Sequence, residues 1–397
     1  MNRILLSILS LFSSVAIYAG VLHVGNGKPY ASISAAIAAA GSGDTVYVHP
    51  GIYHEKALLI NKPLSLIGIN YPVLDGEHQY EVLAVRSNHV LVEGLLIRNS
   101  GQSSIREIAG IKLYHTQFVE VRKNRLENNF FGIYGEEIDH CSISDNVLVS
   151  HAVAEFEAGD GIHCWKSDSL QISNNQISGF RDGIYFEFVT NSKISGNTSQ
   201  KNVRYGLHFM FSHNDAYTSN VFQKNGTGVT IMYSHGIRML YNHFMHNWGN
   251  ASYAILMKDI SDSYMEYNQF EKNTVGIYME GSNRIQMLHN DFINNGWAIK
   301  IQASCEGNVI RQNNFTGNSF DVATNGTLVA NRFSNNYWDK YEGYDLNRDG
   351  KGDVPFHPVS MYGMIVERNP ASMMLFRSFM VSLLDKAEKL IPGMTPA

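Results

Sequence analysis

The phrases AGIKLY (109–114), FGIYGE (131–136), DGIHCW (160–165), DGIYFE (182–187) and YGLHFM (205–210) are variations on one six-residue pattern. The pattern continues in TGVTIM (227–232), YAILMK (253–258), VGIYME (275–280) and WAIKIQ (297–302). Its second residue recurs from Gly110 to Ala298 in steps of 22, 29, 22, 23, 22, 26, 22 and 22 positions. A period of this length predicts a solenoid, in which each repeat forms one coil stacked on the next.

Two further columns follow the second residue of the phrase, the first at an offset of 14 residues in eight coils and of 15 in the ninth. The first is an asparagine, at Asn124, Asn146, Asn175, Asn197, Asn220, Asn242, Asn268, Asn290 and Asn313, and we expect Asn331 to continue the series. The second is a large apolar residue two positions later, and it ends in Phe222, Phe244, Phe270, Phe292, Phe315 and Phe333. Stacked coils can bury the asparagines as an amide ladder and the apolar residues as a core stack.

The repeats are rich in glycine and asparagine and contain no 10-residue helical stretch. About 22 residues fit one coil of three short strands, whereas a leucine-rich horseshoe needs a leucine pattern that is absent. The chain is thus predicted to be all-β, and from about residue 25 to 335 it resembles the right-handed parallel β-helix of the pectate-lyase-like superfamily. That resemblance predicts the fold and leaves the function open.

The segments outside the repeats predict how the chain is organised. Residues 1–19 combine Arg3, an apolar run and small residues before Gly20, which is typical of an export signal. We expect an N-terminal cap and the first coils at 20–100, further coils at 101–336, an Asp/Asn/Gly-rich loop segment at 337–368, and a C-terminal amphipathic or apolar helix at 369–397.

Composition excludes some functions. Charged residues make up 17% of the chain and the formal net charge is −5, so there is no basic field for nucleic acid. Cys141, Cys164 and Cys305 are far apart and odd in number, which argues against a disulfide framework.

Strand alternation predicts which side chains leave the core. The first and third residues after each glycine are mostly apolar and should point inward, so the second and fourth, His208 and Met210, should be solvent-accessible. The next coil places Met232 beside Met210, about 4.8 Å away. His213 and His235 are also neighbours in adjacent coils. Met239, Met265 and Met287 fall in a column of core residues and should be buried.

Thioether and imidazole donors suit copper, particularly Cu(I). His208, Met210, Met232, His213 and His235 are therefore candidate copper ligands. A hydrophobic docking surface, with methionine as an adaptable contact, is the alternative interpretation of the same residues.

A polysaccharide-modifying enzyme of the lyase or epimerase type, or a carbohydrate-binding protein, is the alternative function. Such enzymes need clustered carboxylates along one face. Outward glutamates are present at Glu136, Glu187 and Glu280, but Trp165, Met210, Met232 and Lys258 interrupt their column. We therefore expect no catalytic role.

Asp345, Asn347, Asp349 and Asp353 have the spacing of the first part of a calcium loop, although Phe356 replaces the final glutamate. A calcium site and an unliganded Asx-rich turn both fit this pattern. Pro370 then opens a predicted helix with the apolar residues Met373, Met374, Phe376, Phe379, Met380, Leu383 and Leu384. This helix is expected either to fold back over the coils or to dock on a membrane partner.

The C-terminal region also carries a family resemblance. The pattern N-Y-W-D-x-Y-x-G-x-D-x-N-x-D-G-x-G-D-x-P at 336–355, followed by E-R-x-P, L-x-R-S and L-L-D-x-A-E, resembles the NosD family of nitrous-oxide reductase maturation proteins. The resemblance implies a periplasmic accessory protein that acts with the permease and ATPase subunits of an ABC transporter. It also implies a lipoprotein copper chaperone and nitrous-oxide reductase as partners, and contact with the membrane only through the permease.

Overall fold

The computed structural model describes residues 19–103 and 105–390, which wind into a right-handed β-helix with three parallel sheets. Strands that neighbour each other within a sheet come from successive coils. The predicted fold class is confirmed. The predicted export signal lies outside the described residues, apart from Ala19.

The 14-stranded sheet contains β1 Val21–Val24, β2 Thr45–Val48, β5 Ser65–Gly68, β8 Leu91–Glu93, β11 Glu120–Arg122, β14 Ser142–Ser144, β17 Gln171–Ser173, β20 Lys193–Ser195, β23 Ala216–Thr218, β26 Arg238–Leu240, β29 Tyr264–Glu266, β32 Gln286–Leu288, β35 Val309–Arg311 and β38 Arg332–Ser334. The 12-stranded sheet contains β4 Leu58–Ile60, β7 Leu83–Val85, β10 Ala109–Tyr114, β13 Phe131–Glu136, β16 Asp160–Trp165, β19 Asp182–Glu187, β22 Tyr205–Met210, β25 Thr227–Met232, β28 Tyr253–Lys258, β31 Val275–Glu280, β34 Trp297–Ile301 and β37 Phe320–Thr324. The 13-stranded sheet contains β3 Ile52–Tyr53, β6 Val73–Asp75, β9 Leu96–Arg98, β12 Arg125–Glu127, β15 Val147–Val149, β18 Gln176–Ser178, β21 Thr198–Gln200, β24 Val221–Gln223, β27 His243–Met245, β30 Gln269–Glu271, β33 Asp291–Ile293, β36 Asn314–Thr316 and β39 Tyr337–Trp338.

The recurring phrases form the 12-stranded sheet in the register that their alignment predicts. Leu207 pairs with Ile184 on one side and with Val229 on the other, and all three are fully buried. Met239, Met265 and Met287 are fully buried as well, as predicted. The three cysteines are buried and unpaired.

Each coil bends where a residue adopts a left-handed backbone conformation, which is costly for most side chains. Ser219 (φ +56°) and Tyr241 (φ +55°) occupy such corners, and the ladder residues Asn220 and Asn242 follow them directly. The same arrangement recurs in the coils on either side. A left-handed corner residue followed by a buried asparagine is therefore a repeated structural unit.

The asparagine ladder satisfies every hydrogen-bonding position of its amides. Asn220 Nδ2 donates to Asn242 Oδ1 (3.0 Å) and to the Ile194 carbonyl (3.0 Å). Asn220 Oδ1 in turn accepts from the backbone and side-chain nitrogens of Asn197. A second ladder, which the sequence analysis did not identify, runs parallel to it through Asn202, Asn225, Asn247, Asn273, Asn295 and Asn318.

The prediction that Asn331 and Phe333 continue their columns is wrong. Asn313 donates to Asn336 Oδ1 (3.1 Å), and Phe315 stacks on Trp338 at 4.0 Å. Asn331 instead accepts from Asn308 at a different corner. The step from Asn313 to Asn336 is 23 residues, the same as the step from Asn290 to Asn313, whereas Asn331 lies 23 residues after Asn308 and belongs to that column.

Helices lie at both ends. The short helix α1 (Ile33–Ala39) buries Ile33, Ala36 and Ile37 against the first coils, and Ser32 caps its N-terminus. At the other end, α2 (Met361–Arg368), a 3₁₀ helix (Pro370–Leu375) and α3 (Phe379–Leu390) follow β39. The C-terminal segment thus differs from the single predicted helix, because Arg377 (φ +62°) separates the two helices after Pro370.

Replacement of a ladder residue should be costly. Asn220→Ala removes four hydrogen bonds to buried groups, at roughly 1–3 kcal/mol for each group left without a partner, namely the Asn197 backbone nitrogen and the Ile194 carbonyl. We expect the free energy of unfolding to fall by on the order of 3 kcal/mol or more, measured by denaturant titration. The exposed Asn61 provides the control, since Asn61→Ala should have almost no effect. Equal losses in the two variants would contradict a structural role of the ladder.

Asp215 makes stability depend on pH. Its side chain is fully buried in the coil interior and accepts from the Ser192 backbone nitrogen (2.8 Å). Burial raises the pKa of Asp215 to about 8, and the Ser192 hydrogen bond only partly opposes this. Because the folded-state pKa lies above the unfolded value, stability should be lost as pH rises from about 4 to about 8. Asp215→Asn keeps the acceptor without the charge, so its melting temperature should exceed that of the wild type at pH 8 and match it near pH 4. A constant difference between the two proteins across this range would contradict the ionisation of Asp215.

Candidate copper and partner face

The outer face of the 12-stranded sheet carries the predicted donors. Met210 and Met232 end β22 and β25, pair in register and are both half-buried. The Tyr185 hydroxyl lies 3.5 Å from the Met210 sulfur. Two thioethers are therefore adjacent and reachable from solvent, as strand alternation predicts.

The prediction that His208 is solvent-accessible is wrong, since the residue is only 6% exposed. Its ring stacks on Tyr185 (4.4 Å between centroids) and receives the edge of Tyr205 (5.0 Å). Neither ring nitrogen makes a hydrogen bond within the described part of the chain, and Nδ1 lies 3.5 Å from Asp182 Oδ2. Alternation sends the side chain outward correctly, but large neighbours on the same face cover it.

Two buried ion pairs support this aromatic surface. Arg181 binds Asp160 (Nη2 to Oδ1, 2.9 Å), and Arg204 binds Asp182 (Nε to Oδ1, 2.9 Å). Both carboxylates are fully buried. Burial alone would raise the pKa of Asp182, but His208 and Arg204 outweigh it, so the pKa is lowered and the carboxylate stays charged.

His163 belongs to the same cluster. Its burial was not predicted from the sequence. Its Nδ1 lies 2.9 Å from Asp160 Oδ2, and its ring packs on Tyr185 at 4.5 Å. Because Tyr185 separates His163 from His208, the two imidazoles cannot share one metal ion. Arg181 precedes Asp182 and Gly183, and Asp160 precedes Gly161. A charged residue directly before the glycine of a coil needs a partner of opposite charge, and this pattern was the sequence signal for the cluster.

His213 and His235 form the second pair of predicted donors. Their rings stack at 4.0 Å, and the His235 backbone nitrogen donates to His213 Nδ1 (3.3 Å). Burial, with a smaller contribution from His235, lowers the pKa of His213, which favours the neutral imidazole that binds metals. Phe211 and Tyr233 stack at the corner that separates the methionines from the histidines in sequence.

Apart from His208, the predicted copper donors thus form two pairs, one of thioethers and one of imidazoles. Within residues 19–103 and 105–390, no three His, Cys, Asp or Glu side chains are placed to hold a metal ion. Methionine sulfurs, which also bind soft metals, are not among these four residue types. A copper ion on this face would therefore depend on Met210 and Met232 together with an imidazole.

The predicted calcium loop is arranged as an Asx-rich turn. Asp345 accepts from the backbone nitrogens of Asp349 (3.2 Å) and Gly350 (2.9 Å), and Asn347 accepts from Asp349 (3.0 Å). Asp353 Oδ2 accepts from Leu346 (2.7 Å). These contacts match the unliganded alternative, and calcium binding stays a prediction.

The C-terminal segment packs by one side only. Phe376, Val381 and Leu384 join Trp297 and Phe320 in an apolar cluster over the end of the 12-stranded sheet. The predicted partner residues that remain outside this cluster are exposed, namely Met373, Met374, Phe379, Met380 and Leu383. Of the two expected outcomes for this segment, folding back over the coils is therefore seen at Phe376 and Leu384. No helix among the described residues is long and apolar enough to cross a membrane.

Comparison with known families identifies the chain. Residues 149–344 match the family described as Periplasmic copper-binding protein (NosD), and residues 70–177 match the Right handed beta helix region. The chain belongs to the NosD family. It is thus a periplasmic β-helix protein linked to the copper maturation of nitrous-oxide reductase. No curated protein sequence matches the chain.

Solved structures similar to this NosD-family chain share only its fold. A lacto-N-biosidase of family GH136 from Eubacterium ramulus is 12% identical with a TM-score of 0.57, covering 80% of this chain and 67% of the other. The Dettilon tailspike protein is 12% identical with a TM-score of 0.56, covering 73% and 64%. DFA-IIIase from Arthrobacter chlorophenolicus is 14% identical with a TM-score of 0.50, covering 74% and 83%.

Proposed function

We propose that this chain is an accessory protein that handles copper for the copper–sulfur site of nitrous-oxide reductase and is not itself a catalyst. Copper would be held transiently at Met210 and Met232, with His213 or His235 as the imidazole donor. The observation that carries the proposal is the register of Met210 and Met232, which places two half-buried methionines side by side. Soft donors of this kind favour Cu(I) over harder ions.

An accessory role also agrees with the outer carboxylates. The register runs from Glu136 through Trp165, Glu187, Met210, Met232 and Lys258 to Glu280. Glycosidases place their two carboxyl groups about 5–10 Å apart. Glu136 and Glu187 are two strands apart, about 10 Å at the strand spacing of a sheet, whereas Glu187 and Glu280 are four strands apart, about 19 Å, so the column does not repeat a pair at this distance.

The partners in this proposal are the permease and ATPase of an ABC transporter, a copper chaperone lipoprotein, and the reductase. The exposed side of the C-terminal segment supports the permease contact. Met374 is 90% exposed and Phe379 is 82% exposed, while the opposite side of the segment is anchored to the coils. An anchored segment with large exposed apolar side chains is typical of a docking surface.

Copper binding can be tested on the full chain. Met210→Leu with Met232→Leu keeps volume and apolarity, so folding should be nearly unchanged. Under anaerobic reducing conditions, competition with a Cu(I) chelator should show at least tenfold weaker copper binding. His213→Gln with His235→Gln should act in the same direction. Maturation of the reductase in a deletion strain should fall in parallel.

Met245→Leu is the matched control, because Met245 is also half-buried but ends β27 in another sheet. Its copper affinity should equal that of the wild type. If the double methionine variant also binds copper normally, the site assignment fails.

Docking is tested by changing only the exposed side chains. Met374→Ser, Phe379→Ser and Leu383→Ser leave the packed Phe376 and Val381 in place, so the melting temperature should change little. We expect co-purification of the permease to be lost and cluster copper in the reductase to fall. Val21→Ser with Ile52→Ser removes exposed apolar side chains at the opposite end of the β-helix and should have neither effect. Retention of the permease by the triple variant would show that the segment is only a cap.

A further inference from the structure

Tyr185 is held between two histidine rings on the outer face of the 12-stranded sheet. Its ring lies 4.5 Å from that of His163 in the preceding coil and 4.4 Å from that of His208 in the next coil, measured between centroids. All three side chains belong to residues that are at least nine-tenths buried. The Tyr185 ring therefore cannot leave its place without displacing an imidazole.

The two histidines are fixed by the same kind of contact. His163 Nδ1 lies 2.9 Å from Asp160 Oδ2, and His208 Nδ1 lies 3.5 Å from Asp182 Oδ2. Each carboxylate is fully buried and is bound by an arginine of the following coil. Since a buried carboxylate without its cation is strongly destabilising, each Arg-Asp-His unit has to form as a whole. Together the two units clamp Tyr185 from both sides.

The clamp directs the Tyr185 hydroxyl at Met210. The hydroxyl oxygen lies 3.5 Å from the Met210 sulfur, and this is the hydrogen bond that it makes within the described part of the chain. A tyrosine hydroxyl is protonated at neutral pH and donates, whereas a thioether sulfur is a weak acceptor. A second lone pair on the sulfur stays available to a metal ion, so the hydrogen bond and a copper ligand can coexist on Met210.

Methionine is a flexible side chain with three rotatable bonds, and Met210 is only half-buried. Without a tether, copper binding would have to order this side chain, at the cost of roughly a two- to tenfold loss of affinity. We propose that Tyr185 is a positioning residue that holds the Met210 sulfur in place beside Met232 before the metal arrives. The inference rests on the proposed function, since it concerns the same pair of thioethers.

Met232 provides an internal comparison. Tyr185 lies two residues before the register partner of Met210, and His208 lies two residues before the register partner of Met232. His208 thus has the same relation to Met232 as Tyr185 has to Met210, but its ring nitrogens make no hydrogen bond to the described residues. We therefore expect the Met210 side chain to be more ordered than that of Met232 in the metal-free protein.

The test is Tyr185→Phe in the full chain, which keeps the ring between the histidines and removes only the hydroxyl. By NMR of isotope-labelled methionine methyl groups without copper, the Met210 methyl should lose order in the variant while the Met232 methyl stays unchanged. Cu(I) affinity, measured by chelator competition under anaerobic reducing conditions, should fall about three- to tenfold, with little change in melting temperature. Tyr134→Phe is the matched control, because Tyr134 is buried and also packs on His163 (4.8 Å), and it should alter neither property.

A double-mutant cycle separates positioning from a general effect on the fold. With Met210→Leu already present, Tyr185→Phe should cause no further loss of Cu(I) affinity, because the hydroxyl acts through that sulfur. A further loss there, unchanged affinity in Tyr185→Phe alone, or equal order of the Met210 and Met232 methyl groups in the wild type would each overturn the proposal. The methyl comparison needs neither copper nor a variant. It therefore decides the positioning role even if the wild type binds no Cu(I), a result that would count against the proposed function.

Discussion

The stability of this β-helix depends on its asparagine ladders. A coil of about 22 residues has to turn sharply, and it does so by placing residues such as Ser219 and Tyr241 in the left-handed conformation. Each sharp turn directs backbone N–H and C=O groups toward an interior without water, where unpaired groups cost roughly 1–3 kcal/mol each. The asparagine at each corner bonds to the backbone of the preceding coil and to the asparagine of the next, as Asn220 does with Asn197, Ile194 and Asn242. The ladder therefore fixes the spacing between coils as well as the corner.

The same constraint explains which parts of the fold could be predicted. Inward columns have to repeat because they stack on themselves, so Leu207, Phe222 and Met239 could be assigned from periodicity alone. The error at Asn331 and Phe333 was an assignment to the wrong column, because Asn331 lies 23 residues after Asn308 while Asn336 lies 23 residues after Asn313. Asparagines occur at more than one corner of each coil, and hydrogen bonding distinguishes them, since Asn336 is the amide that satisfies Asn313. The second ladder is equally regular, since each of its asparagines lies five residues after one of the first ladder, but it was not predicted.

Outward columns are less predictable because nothing forces them to repeat. Alternation correctly sends His208 outward, yet burial depends on lateral neighbours, here Tyr185 and Tyr205, which periodicity does not describe. The paired arginines follow from the same packing. Once Asp160 and Asp182 are covered by aromatic rings, each requires a cation from the next coil, and Arg181 and Arg204 supply it. The outer face is thus free to vary, and function is concentrated there.

The order of features along this face bears on how copper would be passed on. Beyond Met232 the next coils present Tyr253 and Tyr278, and both pack against the cluster that anchors the C-terminal segment. Lys300, one coil further, binds Glu367 of α2 at 2.6 Å. The thioether pair and the anchored C-terminal segment therefore belong to the same sheet, with the segment over its last strands. Under the proposed function, a permease bound to Met374 and Phe379 would lie at the end of the face that carries the copper donors. Because β22 and β37 are five strands apart in this sheet, or about 24 Å at the strand spacing of a sheet, the permease contact and the copper donors would occupy different coils of one face, and both could be used without any change in the ladder-bound core.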